Sequence, residues 1–203
     1  VTGKRPKLIG TDLDGTIVAH YGFISERTKI AFTAAHKAGI HMYFVTGRPI
    51  RWMVEIKENF GFGTGICANG ALLYDFNNEK VLEEWLFPVD AQLETVKRLR
   101  QVLPNVSFAV EIGKDFNREK KYVPRWDVGQ DNVGVDKIEE VITKPALKML
   151  ARCGNGEYSS DEMLEIATKE LQGIASPTHS NISDSLLEIS ADGVSKGATL
   201  SKI

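Results

Sequence analysis

The stretch that decides the fold is Ile9-Gly10-Thr11-Asp12-Leu13-Asp14-Gly15-Thr16. It ends a predicted strand that begins near residue 7, and alternate side chains of a strand point to opposite sides. Asp12 and Asp14 therefore share one side, and Gly15 lets the backbone turn tightly after them. Two close like charges call for a shared cation, a shared proton or perturbed pKa values. A plain strand-end turn is the alternative, since Asp and Gly favour turns.

The segment that follows predicts a β-α-β unit. Ser25 is a candidate helix cap, the helix runs through Lys37 with Ile30 on its apolar face, and Gly39 ends it. Residues 41–45 are a continuous apolar run, typical of a strand buried on both faces. In such a unit the two strands are parallel, so Asp12 and Thr46 are expected at neighbouring carboxyl ends, where open α/β sheets bind ligands.

The remaining sequence predicts a helix after Pro49, a short strand, an Asn69-Gly70 hairpin turn and then a separate α+β unit. A loop is predicted over residues 17–23, which include His20 and Tyr21. Within the α+β unit the predicted helices are 88–103, 136–143 and one that a Ser159–Glu162 capping box begins. Its predicted strands are 106–112, 146–150, 174–178 and 185–189, with a long loop or weak strand over 114–134.

Two further segments are candidates for phosphate contacts. Thr46-Gly47-Arg48 follows a strand, and it offers a hydroxyl, an amide and a guanidinium to an anion. An ordinary strand-to-helix turn explains it equally well. Lys196 opens the last predicted helix, where its charge opposes the helix dipole unless a phosphate lies beside it. A solvated lysine is the alternative.

Together these residues resemble the motifs of the haloacid dehalogenase-like (HAD) hydrolases, in the Cof-like sugar phosphatase branch with a C2-type cap. The resemblance implies an α/β fold with a Rossmann-like parallel-sheet core, formed by residues 1–84 and 188–203, and an inserted α+β cap over 85–187. It implies that Asp12 is the catalytic nucleophile and Asp14 the general acid and base. The implied phosphate-binding residues are Leu13, Thr46, Gly47 and Lys196. Arg48 and Asn69 are implied substrate contacts, and Mg²⁺ is implied on Asp12 and the backbone carbonyl of Asp14.

The implied function is Mg²⁺-dependent hydrolysis of a small phosphomonoester, a sugar phosphate or phosphorylated cofactor, through an aspartyl phosphate. A phosphomannomutase-like mutase and a non-catalytic phosphate-binding or regulatory protein are the alternatives. The family's fourth, acidic motif is expected roughly 20 to 30 residues past Lys196, beyond Ile203. We therefore expect residues 1–203 alone to lack a carboxylate ligand and to be nearly inactive, and the reading frame to continue.

Composition and charge limit the kinds of molecule that this protein is expected to bind. The 203 residues carry a formal net charge of −2, which gives no electrostatic basis for binding nucleic acid. No apolar run approaches the roughly 18 residues of a membrane span. Two cysteines, Cys67 and Cys153, suit a reducing compartment, so we expect a cytoplasmic protein. The family resemblance implies a small phosphorylated metabolite as its partner. The sequence carries no signal for an oligomeric state.

Overall fold

The structure is a computed structural model that describes residues 6–19, 22–154 and 156–203. His20 and Tyr21, in the predicted loop 17–23, lie outside the described residues. The chain divides into two compact units. The first comprises the chain through Glu84 together with Ser195–Ile203, and the second comprises Trp85–Val194. Among the described residues, no helix is both long enough and apolar enough to cross a membrane.

The first unit is built on a five-stranded sheet in the order β1-β2-β3-β4-β5. Its strands are β1 Leu8–Asp12, β2 His41–Val45, β3 Thr64–Cys67, β4 Leu72–Asp75 and β5 Lys80–Glu84. The first three strands are parallel, and β4 and β5 extend the sheet as antiparallel strands. Helices α1 Glu26–Lys37 and α2 Val54–Asn59 connect the parallel strands, so the predicted α/β fold class is confirmed.

Local signals explain where these elements begin and end. The Ser25 side chain accepts a hydrogen bond from the Thr28 amide at 3.2 Å, which caps α1 as predicted. The predicted apolar face of α1 is wrong, because Ile30 is 64% exposed and no α1 residue is buried. The helix predicted after Pro49 is a single 3₁₀ turn, Ile50–Trp52, followed by α2. The core lies instead around β2, where Phe44 contacts neighbouring aromatic rings.

The second unit holds an antiparallel sheet with two longer helices. Helices α3 Val89–Val102 and α4 Ser160–Glu170 accompany strands β6 Ser107–Ile112, β7 Asp115–Arg118, β8 Lys148–Arg152, β9 Ala175–Thr178 and β10 Leu186–Ala191. The sheet order is β7-β6-β8-β10-β9. The predicted Ser159–Glu162 capping box is present at the start of α4. The predicted helix 136–143 is only one turn, Ile138–Glu140.

The boundary between the units differs from the one expected from the sequence. Residue 188 was expected to reopen the first unit, but it lies inside β10, which pairs with β8 and β9. A strand with partners on both sides cannot be divided between two sheets, so the second unit continues to Val194. The chain re-enters the first unit at Ser195 and ends in the short helix α5 Lys196–Leu200.

Candidate active site

Asp12 and Asp14 lie at the carboxyl end of β1. Asp12 is its last residue and pairs in register with Val45 of β2. Leu13 is fully buried, and its carbonyl accepts hydrogen bonds from the amides of the next turn at 2.9–3.1 Å. The two carboxylates are instead 41% and 60% exposed. The chain therefore anchors itself through Leu13 and leaves two acidic groups open to solvent.

Lys196 lies beside Asp12 although 184 residues separate them in sequence. Its Nζ donates to Asp12 Oδ1 at 2.6 Å, and both side chains are about two-fifths exposed. Helix α5 has five residues, too few for a dipole argument of the kind used in the sequence analysis. A direct ion pair, which sequence spacing does not reveal, accounts for the position of this lysine.

A tight backbone contact holds α5 in place. Thr199 Oγ1 donates to the Gly70 carbonyl at 2.8 Å, and the pair is buried. A Cβ added at Gly70 would lie 2.4 Å from the carbonyl oxygen of Ser195, and the φ of Gly70 is 106°. Glycine is therefore required at this close approach. Sequence analysis predicted the Asn69-Gly70 turn but missed Thr199 as its partner.

Thr46 fixes the turn after β2. Its side chain is buried, and its Oγ1 accepts from the Arg48 amide at 3.0 Å. Its carbonyl accepts from the amide of Asn69 at 3.1 Å, so the turns after β2 and β3 are joined. Asn69 is buried in a left-handed conformation with φ 57°. Gly47 lies within the same turn as Thr46. Because the Thr46 hydroxyl accepts one hydrogen bond here, its hydrogen remains a donor.

Arg48 closes on Asp14. Its Nε donates to both carboxylate oxygens at 3.1 and 3.0 Å, and Nη2 also contacts Oδ1. Its Nη1 lies 3.5 Å from Glu55 Oε2 on α2, a partner that sequence analysis missed. The hydrogen bond to Asp14 raises the pKa of the Arg48 guanidinium, against the effect of burial. The residue expected to contact substrate thus holds a site carboxylate.

Two oxygen donors are available for a divalent cation, one from the Asp12 carboxylate and one from the backbone carbonyl of Asp14. The other polar groups there are already engaged, because Lys196 contacts Oδ1 of Asp12 and Arg48 binds the Asp14 carboxylate. Across residues 6–19, 22–154 and 156–203, no group of three or more His, Cys, Asp or Glu side chains could hold a metal ion. Mg²⁺ commonly binds through one or two carboxylates and keeps several waters. Asp12 and the Asp14 carbonyl fit that minimal set.

Known proteins share both the sequence pattern and the fold. A pyridoxal phosphate phosphatase of Escherichia coli is 30% identical over 96 residues, which cover 47% of this chain and 35% of that protein. A 5-amino-6-(5-phospho-D-ribitylamino)uracil phosphatase of Bacillus subtilis is 25% identical over 97% of this chain and 70% of its own length. The crystal structure of SMU.1108c from Streptococcus mutans superposes with a TM-score of 0.79 at 17% identity, covering 98% of this chain and 75% of that one.

The match with the first curated relatives spans about a third of their length. The sequence model of the family described as haloacid dehalogenase-like hydrolase matches residues 9–203, which is nearly the whole chain. That segment contains Asp12, Asp14, Thr46 and Lys196, the residues at the carboxyl ends of β1 and β2 and the lysine that contacts Asp12. The chain belongs to the haloacid dehalogenase-like hydrolases, in their Cof-like branch.

Proposed function

We propose that the Asp12 site hydrolyses phosphoric monoesters of small metabolites, such as a sugar phosphate or a phosphorylated cofactor. The observation that carries the proposal is the Lys196–Asp12 contact beside the Arg48–Asp14 contact, at the carboxyl ends of parallel strands. A nucleophile, an acid–base group and two cations are what phosphoryl transfer needs. The phosphatase names of two relatives, one acting on pyridoxal phosphate, support this substrate class.

In the proposed first step, an Asp12 carboxylate oxygen attacks phosphorus. A bond forms between that oxygen and phosphorus while the bond to the leaving oxygen breaks, and the leaving oxygen takes a proton from Asp14. In the second step Asp14 accepts a proton from water as that water attacks phosphorus. The bond to Asp12 then breaks, which returns the carboxylate and releases inorganic phosphate.

The neighbouring groups position charge for these steps. Lys196, already 2.6 Å from Asp12, would neutralise phosphoryl oxygens as they approach the nucleophile. The Thr46 hydroxyl and the amides of Leu13 and Gly47 are proposed donors to the same oxygens. Arg48 holds Asp14 in place, and Glu55 holds Arg48 from the other side. Arg48 and Asn69 are also proposed to contact substrate.

The Asp12 carboxylate and the Asp14 carbonyl would hold Mg²⁺. When bound, this ion supplies positive charge that polarises the phosphoryl group. We assign the second unit the role of the cap that the family resemblance implies, namely selection among phosphate esters.

The test is phosphate release and trapping of an acid-stable aspartyl phosphate with the product of the complete reading frame, because residues 1–203 alone are expected to be nearly inactive. It is run across a Mg²⁺ titration and a panel of phosphate esters. Asp12→Asn should reduce phosphate release by at least about a thousandfold, because the amide keeps the shape and loses the nucleophile. Asp90→Asn, at the exposed start of α3, is the matched control. Unchanged turnover in Asp12→Asn would reject the mechanism. Phosphate binding with neither trapped aspartyl phosphate nor turnover would indicate the phosphate-binding alternative, and dependence on a bisphosphorylated sugar would indicate a mutase.

A further inference from the structure

Three successive residues after β3 have a left-handed backbone. The φ angles of Ala68, Asn69 and Gly70 are 49°, 57° and 106°, and all three residues are buried. Glycine adopts this conformation freely and asparagine visits it, whereas in alanine the Cβ approaches a carbonyl oxygen too closely. Strain of this kind persists only where the surrounding structure imposes it. The contacts of this turn must therefore hold Ala68 in a conformation that alanine does not favour.

The first two amides of the turn bind the turn after β2. The Ala68 amide donates to the Arg48 carbonyl at 2.9 Å, and the Asn69 amide donates to the Thr46 carbonyl at 3.1 Å. Successive amides of an extended strand point to opposite edges, so both can reach one turn only because the chain leaves the extended conformation at Ala68. The two carbonyls that they hold flank Gly47, whose amide is a proposed phosphate donor.

The third residue of the turn holds the start of α5. The Gly70 carbonyl accepts from Thr199 Oγ1 at 2.8 Å, and the backbone of Gly70 passes so close to the Ser195 carbonyl that a Cβ would lie 2.4 Å from its oxygen. Ser195 in turn caps α5, because its Oγ accepts from the Ala198 amide at 3.1 Å. Lys196 is the first residue of that helix. The position of Lys196 is therefore tied to the same three-residue turn.

One turn thus contacts both segments that carry the proposed phosphate donors. We propose that Ala68–Gly70 is a positioning element for phosphoryl transfer, which fixes Lys196 relative to the turn after β2. Within it, Ala68 restricts the backbone to one conformation. This inference rests on the proposed phosphatase function. Because the Cβ of Ala68 narrows the range of accessible backbone angles, glycine at this position would relieve the strain and loosen the turn. A purely structural turn would lose activity only as it lost stability, whereas strain kept for positioning separates the two properties.

The first test is Ala68→Gly in the product of the complete reading frame. The urea midpoint should stay the same or rise, because glycine adopts a positive φ without strain, while kcat should fall about tenfold as the phosphate-binding groups lose their fixed arrangement. Glu79→Gly is the matched control, because Glu79 also has a positive φ, 52°, in the exposed turn between β4 and β5. It loses only an ion pair between two exposed side chains, so its kcat should equal that of the wild type.

The second test measures whether a change at α5 reaches the turn after β2. Thr199→Val removes the donor to the Gly70 carbonyl. Because the left-handed turn would transmit this loss, the amides of Asn69 and Arg48 should exchange with solvent deuterium about tenfold faster in the ¹⁵N-labelled chain. The Met163 amide in α4 of the second unit is the internal reference for general loosening of the fold. Thr199→Ser keeps the hydroxyl and should restore both rates.

The reciprocal measurement begins at Ala68. Ala68→Gly should raise the rate at which Lys196 is acetylated severalfold over that in Glu79→Gly, because the start of α5 is no longer held in one place. The exchange and acetylation rates are measured on residues 1–203 and need no turnover. A wild-type protein without phosphatase activity would reject the proposed function, and these two rates alone would then decide whether the turn couples the two segments. In an active protein, unchanged kcat in Ala68→Gly would overturn the proposal, and so would exchange or acetylation rates that follow the references in either case.

Discussion

Arg48 and Arg152 present the same edge of the same side chain in two very different settings. The edge of Arg48 is closed by Asp14, whose side chain is 60% exposed, and Glu55 contacts the rest of the group. The Nε and Nη2 atoms of Arg152 are buried, and the guanidinium lies over the Tyr122 ring with Cζ 5.6 Å from its centroid. The charge of Arg48 is neutralised by Asp14 at a place that solvent also reaches. The charge of Arg152 has been removed from water and packed against an aromatic ring.

This difference in hydration separates the charged groups of the proposed active site from those that are buried in the second unit. Groups proposed to exchange protons and phosphoryl oxygens, such as Asp12 and Asp14, remain partly hydrated, where charges can change at moderate cost. Buried charges in the second unit are instead held by partners within the fold. Glu119 is an example, because its carboxylate accepts from the amides of Phe108 and Ile138 at 3.0 and 3.2 Å and pairs with Arg100.

The largest effect is expected from Glu119→Ala. This variant leaves two buried amides without acceptors and a partly buried guanidinium without its inner partner, so the free energy of unfolding should fall by about 3–5 kcal/mol. Urea unfolding at neutral pH measures it. Glu139→Ala is the matched control, because Glu139 binds the same Arg100 while 37% exposed, and it should cost about 0–1 kcal/mol. Equal losses in the two variants would mean that burial does not distinguish these partners.

The contact that holds the Lys196–Asp12 pair is the next test. Thr199→Val leaves the buried Gly70 carbonyl without its donor, so we expect a loss of about 1–3 kcal/mol in the free energy of unfolding. Displacement of α5 should also expose the Lys196 amine, which competitive acetylation followed by mass spectrometry measures. Thr199→Ser keeps the hydroxyl and should restore most of both properties. Acetylation of Lys196 at the wild-type rate in Thr199→Val would show that another contact sets its position.

Local sequence predicted the helices whose ends are marked by capping residues. Ser25 before α1, Gly39 after it and the Ser159–Glu162 capping box are short-range signals, and the structure contains the helices that they predict. Strand β5 was missed because all of its residues are exposed, so burial imposes no alternating pattern on them. The helix predicted over 136–143 is one turn, Ile138–Glu140, although Glu140 accepts from the Lys137 amide in a capping arrangement.

In the candidate site, too, local patterns were predictable and long-range contacts were not. Asp12 and Thr46 were expected at neighbouring strand ends from the β-α-β pattern, and the register of β1 with β2 places them there. Glu55 and Thr199 were missed because their partners are fixed by tertiary packing rather than by spacing. Arg152 ends a strand whose sequence, Lys148-Met149-Leu150-Ala151-Arg152, gives no sign that Tyr122 packs under it.

Arg152→Met tests whether that arginine contributes to the fold. Replacing a buried charge by an apolar side chain of similar length is often neutral or stabilising, so the free energy of unfolding should change by no more than about 1 kcal/mol. Arg118→Met is the contrasting variant, because the Arg118 guanidinium donates to four backbone carbonyls, and it should destabilise clearly. Both are measured by urea unfolding in a chloride buffer free of phosphate and carboxylates. A large loss in Arg152→Met would show that the chain itself satisfies this group.

The smallest effect is expected at Asp75, an exposed carboxylate with partners that carry no charge. Its oxygens accept from the side chains of Asn77 and Asn78 at 2.9 and 2.6 Å, and these amides, Asn78 foremost, lower the pKa of Asp75 to about 2. A lowered folded-state pKa stabilises the fold above the ordinary value near 4, and this contribution disappears as the pH falls through about 2. Solvent screening at this exposed site should keep the gain below about 1 kcal/mol. A ¹³C titration of the Asp75 carboxyl gives the pKa, and Asn78→Ala should raise it towards the ordinary value. If Asn78→Ala lost as much stability as Glu119→Ala, hydration would not be what separates the exposed charges of this chain from the buried ones.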